Sequence, residues 1–216
     1  AYVVYVGNLE SGLQVIDISN PASPVVLGSV ATLSDPKGVA VSGTVVYVTN
    51  GSSGLQLIDV SNPASPSILG SVDTPGDANG VAVSGTIAYV SDGGSGLQVI
   101  DVSNPASPTI LGSVDTPGGA RDVVVSGTVA YVADFGSGLQ VIDVSNPASP
   151  TILGSADTPG AAVGIAVDGS VAYVADSHAD LQVIDVSNLA SPTILGSVDL
   201  PGGASGVAVF GTVAYV

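Results

Sequence analysis

The chain has 216 residues, of which 45% are hydrophobic and 9% are charged, and its 18 acidic and two basic residues give a formal net charge of −16. So few basic residues exclude a nucleic-acid-binding surface, which needs clustered lysine and arginine, and they argue against docking on anionic lipid. The absence of cysteine excludes disulfides, thiolate metal sites and cysteine nucleophiles.

The apolar residues lie in many short runs. The longest, such as Ala1–Val6 and Val129–Ala133, have six and five residues, whereas a membrane helix needs about 20. We therefore expect no membrane insertion by this chain. Because Ala1 begins inside a strand-like run with no signal peptide before it, we expect the chain to be a segment of a longer protein.

A 42-residue repeat runs through the whole chain. The tract Ile-Asp-Val-Ser-Asn-Pro-Ala-Ser-Pro recurs with single changes in its first and last copies, and its aspartates are Asp17, Asp59, Asp101, Asp143 and Asp185. The sequence thus predicts one domain over 1–216, made of repeats 1–42, 43–84, 85–126, 127–168 and 169–210, with 211–216 starting a further repeat.

Each repeat predicts four short strands. In one repeat from the middle of the chain, they are Asp122–Ser126, Thr128–Ala133, Leu139–Val144 and Thr151–Ala156. These runs are rich in Val, Ile, Thr and Tyr and are bounded by Gly, Pro, Asn and Ser, which is typical of strands. No run between these breakers is long enough for a helix.

The strands are apolar on both faces, so both faces of each sheet must be covered. Four-stranded units of 40–45 residues that pack face to face describe an all-β fold, the β-propeller. We expect five blades, or a larger ring if the segment belongs to a longer array. In a closed five-blade ring, 206–210 would complete the blade begun at the N-terminus, although 211–216 then duplicates Ala1–Val6.

The tract Leu97–Pro105, Leu-Gln-Val-Ile-Asp-Val-Ser-Asn-Pro, resembles the LVIVD repeat of bacterial and archaeal surface proteins. Tyr47-Val48-Thr49-Asn50 also matches the signature of the related YVTN surface-layer propellers. The resemblance implies a propeller displayed on the cell surface or outside a prokaryotic cell, with an adhesive or structural role. It carries no catalytic residues over to this chain.

The repeats differ most in two sets of loops, those between the second and third strands and those leading into the first strand. In propellers both sets emerge on one face, here called the mouth face, and binding residues concentrate on such loops. The alternative is that these loops simply vary faster than packed strands. The candidate binding residues of this face are Glu10, Asp35, Lys37, Asp77, Arg121, Asp122, Phe135 and His178.

One local cluster has metal-ligand residue types. Asp176, His178 and Asp180 fall within five residues, but they lack the Asp-x-Asp-x-Asp-Gly pattern of a calcium loop. We therefore predict no cofactor and keep Ca²⁺ as an alternative. Ser177 and His178 are adjacent in sequence, which we expect to be poor geometry for a Ser-His-Asp triad.

Other recurring or paired polar residues have structural interpretations. We expect each aspartate of the 42-residue series to accept backbone N–H bonds in the turn that follows it, and the recurring tyrosines to pack in the core. The turn at Asn188-Leu189, which lacks the usual proline, should be looser. Arg121 and Asp122 should form an ion pair with each other.

Three functions remain open at this point. The first is a non-catalytic structural, adhesive or protein-binding module of a larger cell-surface or secreted protein. The second is a carbohydrate- or calcium-dependent binding domain that uses the mouth face. The third is a hydrolase or lyase with carboxylates at the channel mouth. The expected partner is a protein or a surface glycan, with self-association or strand exchange between identical strands as a further expectation.

Overall fold

The computed structural model describes residues 3–8, 12–178 and 180–216. All regular structure in this part of the chain is β-strand, arranged in antiparallel sheets whose strands follow one another in chain order. It contains no helix that could cross a membrane.

The described residues form six successive sheets, and we call them blades 1 to 6. Blade 1 has three strands, blades 2 to 5 have four each, and blade 6 has two. The strands of blades 1 to 3 are β1 (Val3–Asn8), β2 (Gly12–Asp17), β3 (Val25–Val30); β4 (Val39–Ser42), β5 (Val45–Thr49), β6 (Leu55–Asp59), β7 (Ser67–Val72); and β8 (Val81–Ser84), β9 (Ile87–Ser91), β10 (Leu97–Asp101), β11 (Thr109–Val114). Those of blades 4 to 6 are β12 (Asp122–Ser126), β13 (Val129–Ala133), β14 (Leu139–Asp143), β15 (Thr151–Ala156); β16 (Ala162–Asp168), β17 (Val171–Asp176), β18 (Asp180–Asp185), β19 (Thr193–Val198); and β20 (Ala208–Phe210), β21 (Val213–Tyr215).

In blades 2 to 6 the first strand of each sheet lies innermost, whereas β1 of blade 1 corresponds to the second strand of the other blades. Consecutive first strands contact one another from β4 through β8, β12 and β16 to β20. The expected completion of blade 1 by 206–210 is not formed, because β20 pairs with β21 and β1–β3 make a three-stranded sheet. The fold is therefore an array of propeller blades built from five repeats.

The core lies between blades, as two-sided burial predicts. Each hydrophobic cluster joins two neighbouring blades, and the same positions recur in each. Between blades 2 and 3, for example, Tyr47, Leu55 and Leu57 of one sheet pack on the face that carries Val90 and Ile100 of the next. Equivalent clusters lie between blades 1 and 2, 3 and 4, and 4 and 5. Every blade from 2 to 4 thus buries both of its faces.

A glycine in the fourth strand allows each blade to approach the turn of the next. A Cβ added to Gly112 would lie 2.6 Å from the carbonyl oxygen of Pro147 and 2.7 Å from that of Ala148. Gly28, Gly70 and Gly154 meet the equivalent turns at similar distances, whereas a Cβ on Gly196 would have no atom within 4 Å. The recurring glycine therefore sets the spacing between blades at their outer edge.

The aspartate series has the structural role predicted for it. Oδ1 of Asp101 accepts the backbone N–H of Ser103 at 2.8 Å, and the other four aspartates make the same bond. This bond lowers the pKa of Asp17, Asp101, Asp143 and Asp185. The prediction of a looser fifth turn is wrong: Ala190 N–H still donates to Asn188 Oδ1 at 3.3 Å and Ser191 N–H to Asn188 O at 3.0 Å, because these bonds need the asparagine and not the proline.

Candidate functional site

The loops of the mouth face are joined from blade to blade by backbone hydrogen bonds. Gly93 N–H donates to Ala120 O at 3.1 Å, and Ala120 N–H donates back to Gly93 O at 3.0 Å. Gly51 pairs in this way with Ala78, and Phe135 with Ala162. In each pair the loop after the second strand of one blade is held against the loop that leads into the next blade. The variable loops therefore form a connected rim.

Buried aspartates also stabilise these loops by accepting hydrogen bonds from them. Asp134 directly follows β13, and its carboxylate accepts Thr116 Oγ1–H at 2.6 Å and Gly118 N–H at 2.8 Å. Asp92 makes the equivalent two bonds in blade 3. Burial raises the pKa of both carboxyl groups, and the hydrogen bonds partly oppose that rise. The loop entering each blade is thereby fixed to the second strand of the same blade.

A cavity of about 330 Å³ opens at the centre of this rim. Its walls come from one register position of the repeat, the residue just before the first strand in successive blades. The lining residues at that position are Lys37, Asn79, Arg121, Val163 and Ser205. Gly38, Gly80 and Asp122, each one residue further along, complete the lining. Both basic residues of the chain therefore face one cavity.

Lys37 is already neutralised within the site. Its ammonium lies 2.5 Å from Asp77 Oδ2 and 3.1 Å from Asn79 Oδ1. Asn79 is 9% exposed, and its amide donates to the carbonyl oxygens of Asp77 at 2.8 Å and Ala120 at 3.0 Å. The lysine thus belongs to a fixed polar network in the cavity wall.

Arg121 has a different partner. Its guanidinium carbon lies 4.9 Å from the centre of the Phe135 ring, which is within the range of a cation–π contact. Phe135 has φ of 45°, and Gly93 and Gly51 stand at the same register position in blades 3 and 2. This left-handed region is strained for a residue with a Cβ. Phe135 therefore has a backbone conformation that favours glycine.

Asp122 also departs from the repeat, because Gly38, Gly80, Gly164 and Gly206 stand at its register position. Its carboxylate accepts Val123 N–H at 2.9 Å and, across the blade boundary, Ile165 N–H at 3.1 Å. Burial raises the pKa of Asp122, and the two backbone donors partly offset the rise. The expected ion pair between Arg121 and Asp122 is not formed, because the guanidinium lies over Phe135 instead; among the described residues the ion pair is Lys37–Asp77.

The structure brings some of the predicted binding residues together and leaves others apart. Lys37, Arg121 and Asp122 line the cavity. Asp77 contacts Lys37, and Phe135 contacts Arg121. Asp35 is exposed and does not line the cavity, and His178 is exposed in the loop after β17. Glu10 lies outside the described residues. Sequence reasoning missed Asn79, Val163 and Ser205, although they share the 42-residue register of Lys37 and Arg121.

The candidate metal ligands do not converge. Asp180 Oδ2 accepts Leu200 N–H at 2.7 Å, while Asp176 accepts the N–H groups of Gly160 at 2.9 Å and His178 at 3.3 Å. No three His, Cys, Asp or Glu side chains in the described part of the chain form a group that could hold a metal ion. The carboxylates of this loop instead stabilise its backbone.

The side chains of the adjacent residues Ser177 and His178 contact each other. Ser177 Oγ lies 2.9 Å from His178 Nδ1. The nearest carboxylate in the hydrogen-bond network, that of Asp176, bonds the backbone N–H of His178 and not its ring. Among the residues that the structure describes, no carboxylate is hydrogen-bonded to the imidazole to orient it, which a catalytic triad needs.

Several solved structures share this fold at low sequence identity. U3-55K matches with a TM-score of 0.77 and 10% identity over 95% of this chain and 66% of its own. Sqt1 of Chaetomium thermophilum, solved bound to the N-terminus of the ribosomal protein L10, matches with a TM-score of 0.73 and 16% identity over 95% and 61%. A functionally unknown protein from Desulfotomaculum acetoxidans DSM 771 matches with a TM-score of 0.70 and 17% identity over 90% and 65%. The chain thus spans just under two thirds of the length of these structures.

The search of curated proteins finds no match to this chain. Its sequence does match a repeat family in five consecutive stretches, 2–32, 35–74, 75–116, 117–158 and 159–200. These stretches cover most of the chain and keep the 42-residue period seen in the blades. The chain belongs to the LVIVD repeat family.

Proposed function

We propose that this chain is a non-catalytic protein-binding module of a larger prokaryotic cell-surface or secreted protein, and that the mouth face is its binding surface. The observation that carries the proposal is the position of the two basic residues. A chain with 18 acidic residues has both of its cations in the wall of one cavity, at a register position where the repeats differ.

The rigidity of this face supports a protein ligand. The rim is fixed by backbone pairs and buried aspartates, so little conformational freedom remains to be lost on binding. One similar fold, Sqt1, was solved bound to the N-terminus of a ribosomal protein, and a protein ligand is likewise what we propose for this chain. The surface location rests on the resemblance to surface proteins of the LVIVD type.

The test is selection of binders from a random peptide library displayed on phage, against the immobilised chain. We expect peptides that bind the wild type and lose binding to the double variant Lys37→Ala/Arg121→Ala. The control is Ser107→Ala, in the exposed turn between the third and fourth strands of blade 3 and away from the mouth, which should keep full binding. Failure to enrich any peptide, or equal binding to the double variant, would overturn the proposal.

The binding alternatives have their own tests. Calorimetric titration with Ca²⁺ that gives heat and a defined stoichiometry would favour the calcium-dependent domain, and hits on a glycan array that depend on Arg121 would favour a carbohydrate ligand.

A hydrolase or lyase would need free carboxylates at the mouth. Asp77 is held by Lys37, and Asp122 is held by two backbone N–H groups.

A further inference from the structure

We infer that the cavity receives a single carboxylate side chain of the protein partner and that the guanidinium of Arg121 is its hydrogen-bond donor. The inference rests on the proposed protein-binding function and names the chemistry of the partner's anchoring group. It assigns Phe135 as the positioning residue for Arg121.

The two cations of the cavity differ in what they have left to offer. The ammonium of Lys37 already forms an ion pair with Asp77 and donates a hydrogen bond to Asn79 Oδ1. The guanidinium of Arg121 has no hydrogen bond or ion pair within the described residues, and its carbon lies 4.9 Å from the centre of the Phe135 ring. The planar fork of an arginine fits a carboxylate with two parallel bonds. Arg121 is therefore the available donor at the mouth.

The repeat shows that Phe135 is placed to hold this arginine. In blade 2 the equivalent pair is Lys37 and Gly51, and a Cβ on Gly51 would lie 3.4 Å from Lys37 Cε. The residue at this loop position thus faces the side chain that lines the cavity. Blade 4 puts a phenylalanine there despite the left-handed backbone, and both backbone bonds to Ala162 are kept, at 3.0 and 2.9 Å. The ring restricts the guanidinium before any ligand arrives, which reduces the entropy lost on binding.

Asp122 does not compete strongly for Arg121. Its carboxylate accepts two backbone N–H groups and forms no ion pair with the neighbouring guanidinium. Burial also raises its pKa, which disfavours the charge that would attract the arginine. The donor fork is thus left for an incoming group.

The size and charge of the surroundings define the partner further. A volume of about 330 Å³ lies at the lower end of the range for small-ligand pockets, so it suits one side chain better than an extended acidic segment. The rest of the chain is strongly acidic and repels further negative charge. We therefore expect an isolated Asp or Glu flanked by neutral or basic residues.

The single arginine makes a direct test available. In the ¹⁵N-labelled chain, Nε–Hε of Arg121 gives one resonance, and it can be followed during titration with N-acetylglutamate N-methylamide. We expect a saturable shift with this probe and none with the matched glutamine derivative. Arg121→Lys keeps the charge but not the fork, and should weaken binding of the probe, followed through backbone amides of the mouth, by about tenfold or more. Equal shifts with both probes, or no shift with either, would overturn the inference.

Phe135→Gly separates positioning from structure. It restores the residue found at the same position in blades 2 and 3 and leaves Arg121 in place. We expect weaker binding of the glutamate probe without loss of thermal stability. Unchanged affinity would remove Phe135 from the positioning role, because a purely structural role predicts a change in stability alone.

The two proposals fail in different ways. If library peptides bind the mouth and their Asp or Glu residues can be replaced by Asn or Gln without loss, the carboxylate inference is wrong and the protein-binding function stands. If the glutamate probe shifts Arg121 but no peptide is enriched, the carboxylate site stands and the protein-binding function is wrong. If neither binds, both are wrong.

Discussion

At the scale of the residue, Phe135 combines a left-handed backbone conformation with a large, partly exposed side chain. It holds φ of 45°, and 42% of the residue is exposed, so its ring contributes little packing in return. Replacement of such a residue by glycine removes the clash of its Cβ with the backbone, although glycine also gains entropy in the unfolded chain.

We predict that Phe135→Gly raises the free energy of unfolding by up to about 1 kcal/mol, since relief of left-handed strain exceeds the entropic cost. Ala148→Gly is the control, because Ala148 lies in an exposed turn outside the left-handed region and should lose about 0.5–1 kcal/mol. Denaturant unfolding of both variants measures the difference. A loss of stability in Phe135→Gly as large as that of the control would contradict the strain argument.

The carboxyl groups divide into two classes with opposite pH dependence. The pKa of Asp101 is lowered from its ordinary value of 3.8 by the Ser103 N–H bond, so the stability it contributes is present above 3.8 and is lost as pH falls through the lower folded-state pKa. The pKa of Asp134 is raised by burial. Its contribution is therefore greatest below 3.8 and declines as pH rises through the raised folded-state pKa.

We predict that the stability difference between the wild type and Asp101→Asn narrows as pH falls below about 3.8. The matched variant Asp134→Asn should show the reverse slope. The free energy of unfolding of the wild type should fall relative to that of the variant as pH rises above that value. Unfolding free energies measured between pH 2.5 and pH 6 by denaturant titration give both slopes. Slopes of the same sign in the two variants would show that one of the two environments is wrongly described.

At the scale of the element, most strand bounds are predictable from the sequence. The predicted strands Asp122–Ser126 and Thr151–Ala156 coincide with β12 and β15. The others differ from β13 and β14 by a single residue at one end. The agreement follows from the punctuation of each repeat, in which glycine, proline and asparagine end runs of β-branched residues at fixed places.

The candidate site was less accessible to sequence reasoning. Lys37 and Arg121 could be predicted from their charge and their place in the variable loops, whereas Asn79 and Ser205 lie in the same loops but carry no charge. The contact between Arg121 and Phe135 joins residues 14 positions apart, and it exists because β12 and β13 are antiparallel and bring the preceding and following loops side by side. The antiparallel pairing was predictable, but the orientation of the guanidinium over the ring was not.

The glycine of the fourth strand gives a test of the contact between blades. Gly112→Ala would place its Cβ 2.6–2.7 Å from backbone atoms of the Pro147-Ala148 turn, so we predict a loss of about 1–3 kcal/mol from overpacking. Gly196→Ala is the matched control at the same register position, because its Cβ would meet no atom within 4 Å in this chain. Thermal and denaturant unfolding should leave the control unchanged or slightly stabilised. Equal losses in both variants would mean that strand conformation, and not contact with the next blade, requires the glycine.

At the scale of the whole molecule, the net charge of −16 opposes the compact state through repulsion between like charges. Salt screens this repulsion, because the Debye length falls from about 30 Å at 0.01 M to about 8 Å at 0.15 M ionic strength. The buried clusters between blades are apolar, so they respond little to such low salt.

We predict that the melting temperature rises between about 0.01 M and about 0.15 M NaCl. The triple variant Asp115→Asn/Asp157→Asn/Asp199→Asn, which neutralises three exposed carboxylates, should melt at a higher temperature in low salt and show a smaller rise. Differential scanning calorimetry at both salt concentrations is the measurement. A fall in melting temperature with added salt would show that attractive charge pairs outweigh the repulsion.

The spacing of Lys37 and Arg121 has a consequence for how such a chain can change by gain or loss of repeats. They stand two repeats apart at one register position, with Asn79 between them. Because the contacts between blades recur from one pair to the next, deletion or duplication of a single repeat would leave the packing of its neighbours intact. The same event would change the separation between the lysine and the arginine by one blade. Recombination between repeats would therefore change the arrangement of the two cations at the cavity in one step, without a substitution and at little cost in stability.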